Sequence, residues 1–344
     1  IVKYAEVALA IYYRRGSIGS GPMDYITHGL GRPHLARVYG VLVTLSAFCM
    51  GNLVQVSSIA DSFVRAVDAC TVGPMPSPAA LRFALGLVLA AVTALLLSGG
   101  AGRVGTAAEA MVPLMSLLFI AASMAVVAVN HSRIAGVMST VFIEAFRPGA
   151  ITGGICGVTT AQCIQWGLRR SAFSNEAGLG TAAIAHAAAD TDDPAAHGMW
   201  GIFEVFADTI VICTCTALAI LCSGVNIPWG SVTGTEVYQS ALASVFGART
   251  SAVFMAVTIC LFAYTSVMGW AVYGSRCAEY ISGRRGAALY GFLFPCVCLC
   301  GCVMSTKGAW QIADLINALM SLPNLASLLM LAPVAGKISR KIDT

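Results

Sequence analysis

Within fifteen residues the chain carries Gln162, Gln165, Arg169, Arg170, Ser171, Ser174, Asn175 and Glu176, and Gly178 and Gly180 follow at once, all inside an otherwise apolar stretch. Amide and charged groups in hydrocarbon are costly unless they face a partner, a water-filled cavity or a ligand. Glycines two residues apart beside Ser and Asn favour an unwound turn over a continuous helix. A helix interrupted at membrane depth frees backbone N–H and C=O groups. A half-helix N-terminus can then hold the carboxylate of a zwitterion while exposed carbonyls hold a cation. The competing reading is a Gly-rich packing face whose polar groups bond to neighbouring helices; the density of polar residues favours a site. Gly178-Leu179-Gly180 is no phosphate loop, because no strand precedes it and no Lys-Ser/Thr follows.

Two further clusters offer oxygen atoms. Thr265 and Ser266, with Gly269 and Trp270 just beyond, present adjacent hydroxyls, the hard ligands that Na⁺ takes in place of water. Alternatively, such hydroxyls bond back to a carbonyl one turn earlier. Asn52, Gln55 and Ser58 share a helix face at spacings of three and could line a cavity, although gluing two helices together is the favoured reading. Glu109, Glu204, Asp208 and Asp314 are expected to pair with basic or polar neighbours. His186 is read as a packing histidine bonded to a carbonyl, with proton carriage as the alternative. An intramembrane enzyme using Glu176 and His186 is set aside, since no Ser-His or His-Glu-x-x-His arrangement supports it. Cys296, Cys298, Cys300 and Cys302 put only i, i+4 pairs on one helical face, so they are read as packing residues and not as a metal cluster.

The elements that must position these residues follow from composition. Of 344 residues, 58% are hydrophobic and 10% charged, against about 25% charged in soluble domains. That excludes a soluble globule, and the absence of short alternating segments argues against an outer-membrane barrel. A net charge of +4 makes no phosphate-tracking stripe, so no nucleic-acid partner is expected. Helices in a lipid bilayer remain: an all-α, polytopic bundle forming a single transmembrane domain over residues 1–344. The spans predicted are about 1–14 (half a span), 35–66, 80–98, 107–130, 156–188 (broken near 173–180), 198–222, 246–281, 286–304 and 308–336. The opening stretch is too short to cross a core about 30 Å thick and is expected to be the end of a helix that begins upstream. A roughly two-to-one excess of Lys and Arg on one side predicts a multi-pass protein of the cell (inner) membrane with a cytoplasmic C-terminus.

The run Arg170-Ser171-Ala172-Phe173-Ser174-Asn175-Glu176-Ala177-Gly178-Leu179-Gly180-Thr181 resembles the signature of the alanine or glycine:cation symporters. Lys3-Tyr4-Ala5-Glu6-Val7, Gly21-Pro22-Met23-Asp24-Tyr25-Ile26, Gly51-Asn52-Leu53-Val54-Gln55, Asp208-Thr209, Gly269-Trp270 and Leu322-Pro323-Asn324-Leu325 resemble further landmarks in the same order. The resemblance implies a LeuT-like fold of inverted five-helix repeats, here without core helix 1 and half of core helix 2. It also implies symport of a small neutral amino acid, alanine or glycine, with Na⁺ (H⁺ as the alternative ion), no cofactor, and no protein partner that could be named. Phe173, Ser174, Asn175, Trp270 and Gln55 would then bind substrate, and Thr265 and Ser266 would bind sodium. Ser171 and Thr181 replace an expected Gly and Ser, and Asp193 and His197 replace a His and a Gln. An inactive fragment or another solute carrier of the same fold are the alternatives.

Overall fold

Prolines and capping side chains set where the helices begin. The computed structural model describes residues 1–15, 19–145, 160–227 and 234–340, without the side chains of residues 101 and 160–163. Residues 156–159 of one predicted span and the Gln162 side chain lie outside that description. Helix α1 covers Val2–Tyr12. Helix α2, Pro33–Cys70, starts with Pro at its first turn, where the missing N–H costs nothing. The same device opens α3, Pro78–Ser98. Helix α4 covers Gly100–Val129 and α5 covers Ile134–Ala145. The polar segment forms α6, Thr160–Asn175, and, after a break, the short α7, Thr181–His186.

Helix α8, Pro194–Ser223, combines a first-turn Pro with the Asp193 carboxylate, which accepts from the N–H groups of Ala195 and Ala196 at 2.9 and 3.0 Å. Gly224, at φ 70°, ends it in the left-handed conformation open to glycine. Helix α9 is Gly234–Phe246, α10 is Ala248–Val303, and α11 is Thr306–Ser339. No strand occurs among the described residues.

Helix α10 holds two runs joined at Gly283, whose φ of 65° and ψ of −160° reverse the chain. The second run therefore packs back on the first, and the Tyr290 hydroxyl donates to the Trp270 carbonyl at 3.2 Å. By contrast α11 runs unbroken through both Pro323 and Pro333; the Ser327 hydroxyl donates to the Pro323 carbonyl. Helix α10 packs along α2 and α3, while α1 lies against α8, α7 and α11. Among the described residues, six helices are long and apolar enough to cross a membrane.

The outer faces of these helices are apolar. Leu95, Leu117, Phe292 and Leu329 are 65%, 68%, 70% and 77% exposed. Apolar area of that extent on many helices marks contact with lipid. The chain is a multi-pass membrane protein built as a helix bundle.

Candidate functional site

The polar segment is interrupted as its glycines predicted. Residues 176–180 leave the helical path between α6 and α7: Glu176 has φ 55°, Gly178 95° and Gly180 82°. A left-handed conformation at a non-glycine residue is strained and survives only where its surroundings fix it. Here the Glu176 carboxylate accepts from the Thr181 hydroxyl at 2.6 Å, and the Trp270 indole approaches it from α10. Asn175 closes the turn, its side-chain oxygen accepting from the Ala177 N–H at 3.0 Å.

Other helices hold the freed backbone. From α1, the fully buried Glu6 carboxylate accepts from the Gly178 N–H at 3.0 Å and from the Asn324 amide of α11 at 2.7 Å. The same amide donates to the Gly178 carbonyl at 2.9 Å, and the Tyr25 hydroxyl donates to the Asn324 side-chain oxygen. Tyr39 of α2 donates to the Leu179 carbonyl at 2.7 Å, and Lys3 of α1 to the Asn175 carbonyl at 3.0 Å. Helices α1, α2 and α11 thus hold the backbone of Asn175, Gly178 and Leu179. Residue-type spacing along the sequence did not single out Glu6, Lys3, Tyr39 or Asn324 as holders of this turn. The available signal was a Lys-Glu pair three residues apart in an apolar stretch, together with an Asn directly after Pro323.

Beside the break lies a polar cavity of about 260 Å³, lined by Lys3, Ser174, Asn175, Glu176, Ala182, Ala185, His186, Glu204, Asp208 and Tyr273. Its far wall is a π-helical stretch of α8, Phe206–Ile212, whose wider turn presents Asp208 and Thr209 toward α6. Ser174 donates to Asp208 at 2.6 Å, and the Asn175 amide donates to Thr209 at 3.3 Å and to Ser171 at 3.1 Å. Hydroxyls, amides and charges of both signs around a small volume can receive a zwitterion with each end paired.

The predicted site residues divide between places. Ser174 and Asn175 meet at the polar cavity. Phe173 points to another face of α6, where it stacks on Trp310 at 4.4 Å and lines a second, mostly apolar cavity of about 560 Å³ with Asp314, Asn317 and Leu325. Trp270 is 2% exposed and packs on Gly51, where any Cβ would overlap the indole. Gln55 donates to the Met50 carbonyl of its own helix at 3.4 Å, while Asn52 bonds across to the Phe294 carbonyl at 2.8 Å, the gluing role. Thr265 and Ser266 both donate to the Phe262 carbonyl, at 2.8 and 3.2 Å, leaving their lone pairs as acceptors.

Among the acids, Asp314 pairs with Arg170 at 2.6 Å, and Glu204 with His186 at 2.9 Å and Lys3 at 3.8 Å. Glu109, expected to be paired, stands exposed on α4 with no ion pair among the described residues. His186 also departs from expectation. Its partners are the His197 ring, with nitrogens 3.0 Å apart, and the Glu204 carboxylate, not a carbonyl; the carbonyls of Ala187 and Ala189, just past α7, accept from Arg14. Cys298 and Cys302 are buried in the core and Cys296 and Cys300 exposed, and no group of metal-binding side chains is assembled among the described residues.

Comparison with known proteins accords with this geometry. A profile of the sodium:alanine symporter family matches residues 2–343. The sodium/alanine symporter AgcS of Methanococcus maripaludis is 38% identical over 342 residues, covering 96% of this chain and 72% of that protein. An uncharacterized transporter of Haemophilus influenzae is 33% identical over 338 residues, covering 96% and 71%. The probable sodium/glutamine symporter GlnT of Bacillus subtilis is 31% identical over 335 residues, covering 96% and 66%. With its interrupted polar helix, its small cavity of mixed charge and a family match along nearly its whole length, the chain belongs to the sodium:alanine symporter family, cation-coupled amino-acid transporters and not enzymes.

Proposed function

We propose that the protein carries alanine, glycine or a similarly small neutral amino acid into the cell together with Na⁺ by alternating access. The observation that carries this reading is the clamped break at residues 176–180 opening on a cavity of about 260 Å³ lined by both charges. That volume suits a small zwitterion and leaves little room for a long side chain. Ser174 and Asn175 would contact the substrate. Trp270 would act on it through Glu176, Phe173 from the adjoining cavity, and Gln55 through the helix that packs on Trp270. Thr265 and Ser266 would give oxygen ligands to sodium, with H⁺ as the alternative coupling ion. The name of the sodium/alanine relative supports alanine, and the name of the glutamine relative marks the competing substrate.

In this reading the helices form a LeuT-like inverted-repeat bundle in the cell membrane with the C-terminus in the cytoplasm. Substrate and cation bound together stabilise an occluded state that neither stabilises alone, which supplies the coupling. The test is competition in reconstituted liposomes. Alanine and glycine should displace labelled alanine while glutamine does so far more weakly; equal displacement by glutamine contradicts the small-substrate assignment.

A further inference from the structure

We infer that the groove between α2 and the second run of α10 holds an anionic phospholipid, its phosphate against the arginines at the groove's mouth and one acyl chain along its length. The groove has a volume of about 230 Å³. Val41, Thr44, Leu45 and Phe48 of α2 form one wall, and Gly286, Leu289, Tyr290 and Leu293 of α10 form the other. Val41, Leu45, Leu289 and Leu293 are exposed, so the groove opens sideways on the apolar outer face and not into the bundle.

The two walls run in the same direction. Asn52 bonds to the Phe294 carbonyl at 2.8 Å, the Phe48 and Tyr290 rings lie 5.0 Å apart, and a Cβ on Gly40 would meet Ile281 at 3.4 Å, just before the reversal at Gly283. Both walls therefore start at one end of the bundle, α2 at Pro33 and the second run after Gly283. From Val41 to Phe48 the wall rises about 10 Å at 1.5 Å per residue. One leaflet of a hydrocarbon core about 30 Å thick is about 15 Å deep, so the groove covers most of the depth of a single acyl chain.

Charge identifies the head. Arg37 lies one turn before Val41 on the face that lines the groove, and Arg285 lies one turn before Leu289 at its flank, with Arg284 beside it at the reversal. All three are exposed, and none takes part in an ion pair among the described residues. Glu279, the acid closest to the reversal in the chain, is paired with Arg276 at 3.5 Å. The first turn of α2 contains no acid, and its free N–H groups add positive potential at the same end. Unpaired guanidinium groups beside a lipid-facing groove suit a phosphodiester of net negative charge. A zwitterionic headgroup, whose ammonium offsets its own phosphate, gains less.

The experiment reads lipid retention by the purified protein in detergent micelles, by native mass spectrometry. The probes are dioleoylphosphatidylglycerol, dioleoylphosphatidylcholine and glycerol 3-phosphate, which has the phosphate and no acyl chain. Half-saturation by phosphatidylglycerol should need at least about fivefold less lipid than by phosphatidylcholine. Arg37→Gln should raise the phosphatidylglycerol value about fivefold, and Arg37→Gln with Arg285→Gln about twentyfold, while the phosphatidylcholine value stays put. Leu289→Trp fills the groove and keeps the arginines, and it should also weaken phosphatidylglycerol at least about fivefold. Equal retention of the two lipids, a double variant with the wild-type preference, an unaffected Leu289→Trp, or glycerol 3-phosphate competing as well as the whole lipid overturns the inference. Should the variants misfold, phosphatidylglycerol with a photoreactive acyl chain decides the matter in the wild type: crosslinks are expected within residues 41–48 and 286–293, and crosslinks confined to other segments overturn the inference. Binding is read without transport, so failure of the coupling reading leaves this result standing.

Discussion

Glu6 is a fully buried carboxylate that accepts from the Gly178 N–H in the break and from the Asn324 side-chain amide. Its removal in Glu6→Ala leaves the Gly178 N–H and one Asn324 amide hydrogen without an acceptor, each worth about 1–3 kcal/mol when buried. The expected result is a fall of several degrees in the melting temperature in detergent together with loss of uptake, whereas Glu6→Gln keeps the acceptor and should lose much less of both. Gly180→Ala tests the turn itself. A side chain at φ 82° costs about 1–3 kcal/mol, and its Cβ would sit 2.8 Å from Pro22 and 2.9 Å from the Asn324 oxygen. Uptake should drop at least about tenfold, as one such increment in binding free energy implies; near-normal initial rates would show that the turn tolerates another path. At this scale the sequence disclosed the residues of the break, because Gly and polar types in an apolar run carry their own signal. It did not disclose what clamps them, because Glu6 and Asn324 lie 172 and 146 residues from Gly178 in the chain.

Helix ends and helix irregularities place the site. The π-helical stretch Cys49–Leu53 in α2 contains Gly51 and Asn52, which receive Trp270 and reach Phe294, and the π-helical stretch in α8 turns Asp208 and Thr209 toward α6. Neither irregularity was legible, since an extra residue in a turn depends on what packs against it and not on local propensity. Helix starts were read only from hydropathy, at 35, 80 and 198, whereas Pro33, Pro78 and Pro194 begin the helices. A short helical turn at Pro22–Asp24, outside the membrane-crossing helices, adds a test by pH. Burial pushes the Asp24 carboxyl above the usual carboxylate range, against the lowering influence of the Ser20 N–H and of His28 and Arg15. The folded state then binds a proton more tightly than the unfolded one, so this group stabilises below its ordinary value and loses that contribution as pH rises through the raised one. Asp24→Asn should flatten the acid-side dependence of the melting temperature relative to the wild type; identical profiles would mean that the carboxyl does not titrate in the folded protein.

For the whole molecule, hydropathy and charge were enough to read a polytopic helix bundle, because lipid admits few other ways to satisfy a backbone. What they could not supply is how the helices gather. Ser174 and Asn175 meet Asp208 and Thr209 only through the packing of α6 on α8, and Phe173 turns to a different cavity from its two neighbours. The His186–His197 contact has the same origin: α7 and the start of α8 are close in sequence, but the loop between them decides whether the rings face. The central claim is that binding at this assembled cavity is coupled to a cation. It is tested most directly by uptake of labelled alanine into liposomes with and without an inward Na⁺ gradient, in the wild type and in Asn175→Ala. A gradient should drive accumulation above the external concentration in the wild type and not in the variant; equal wild-type uptake with and without the gradient would contradict the account.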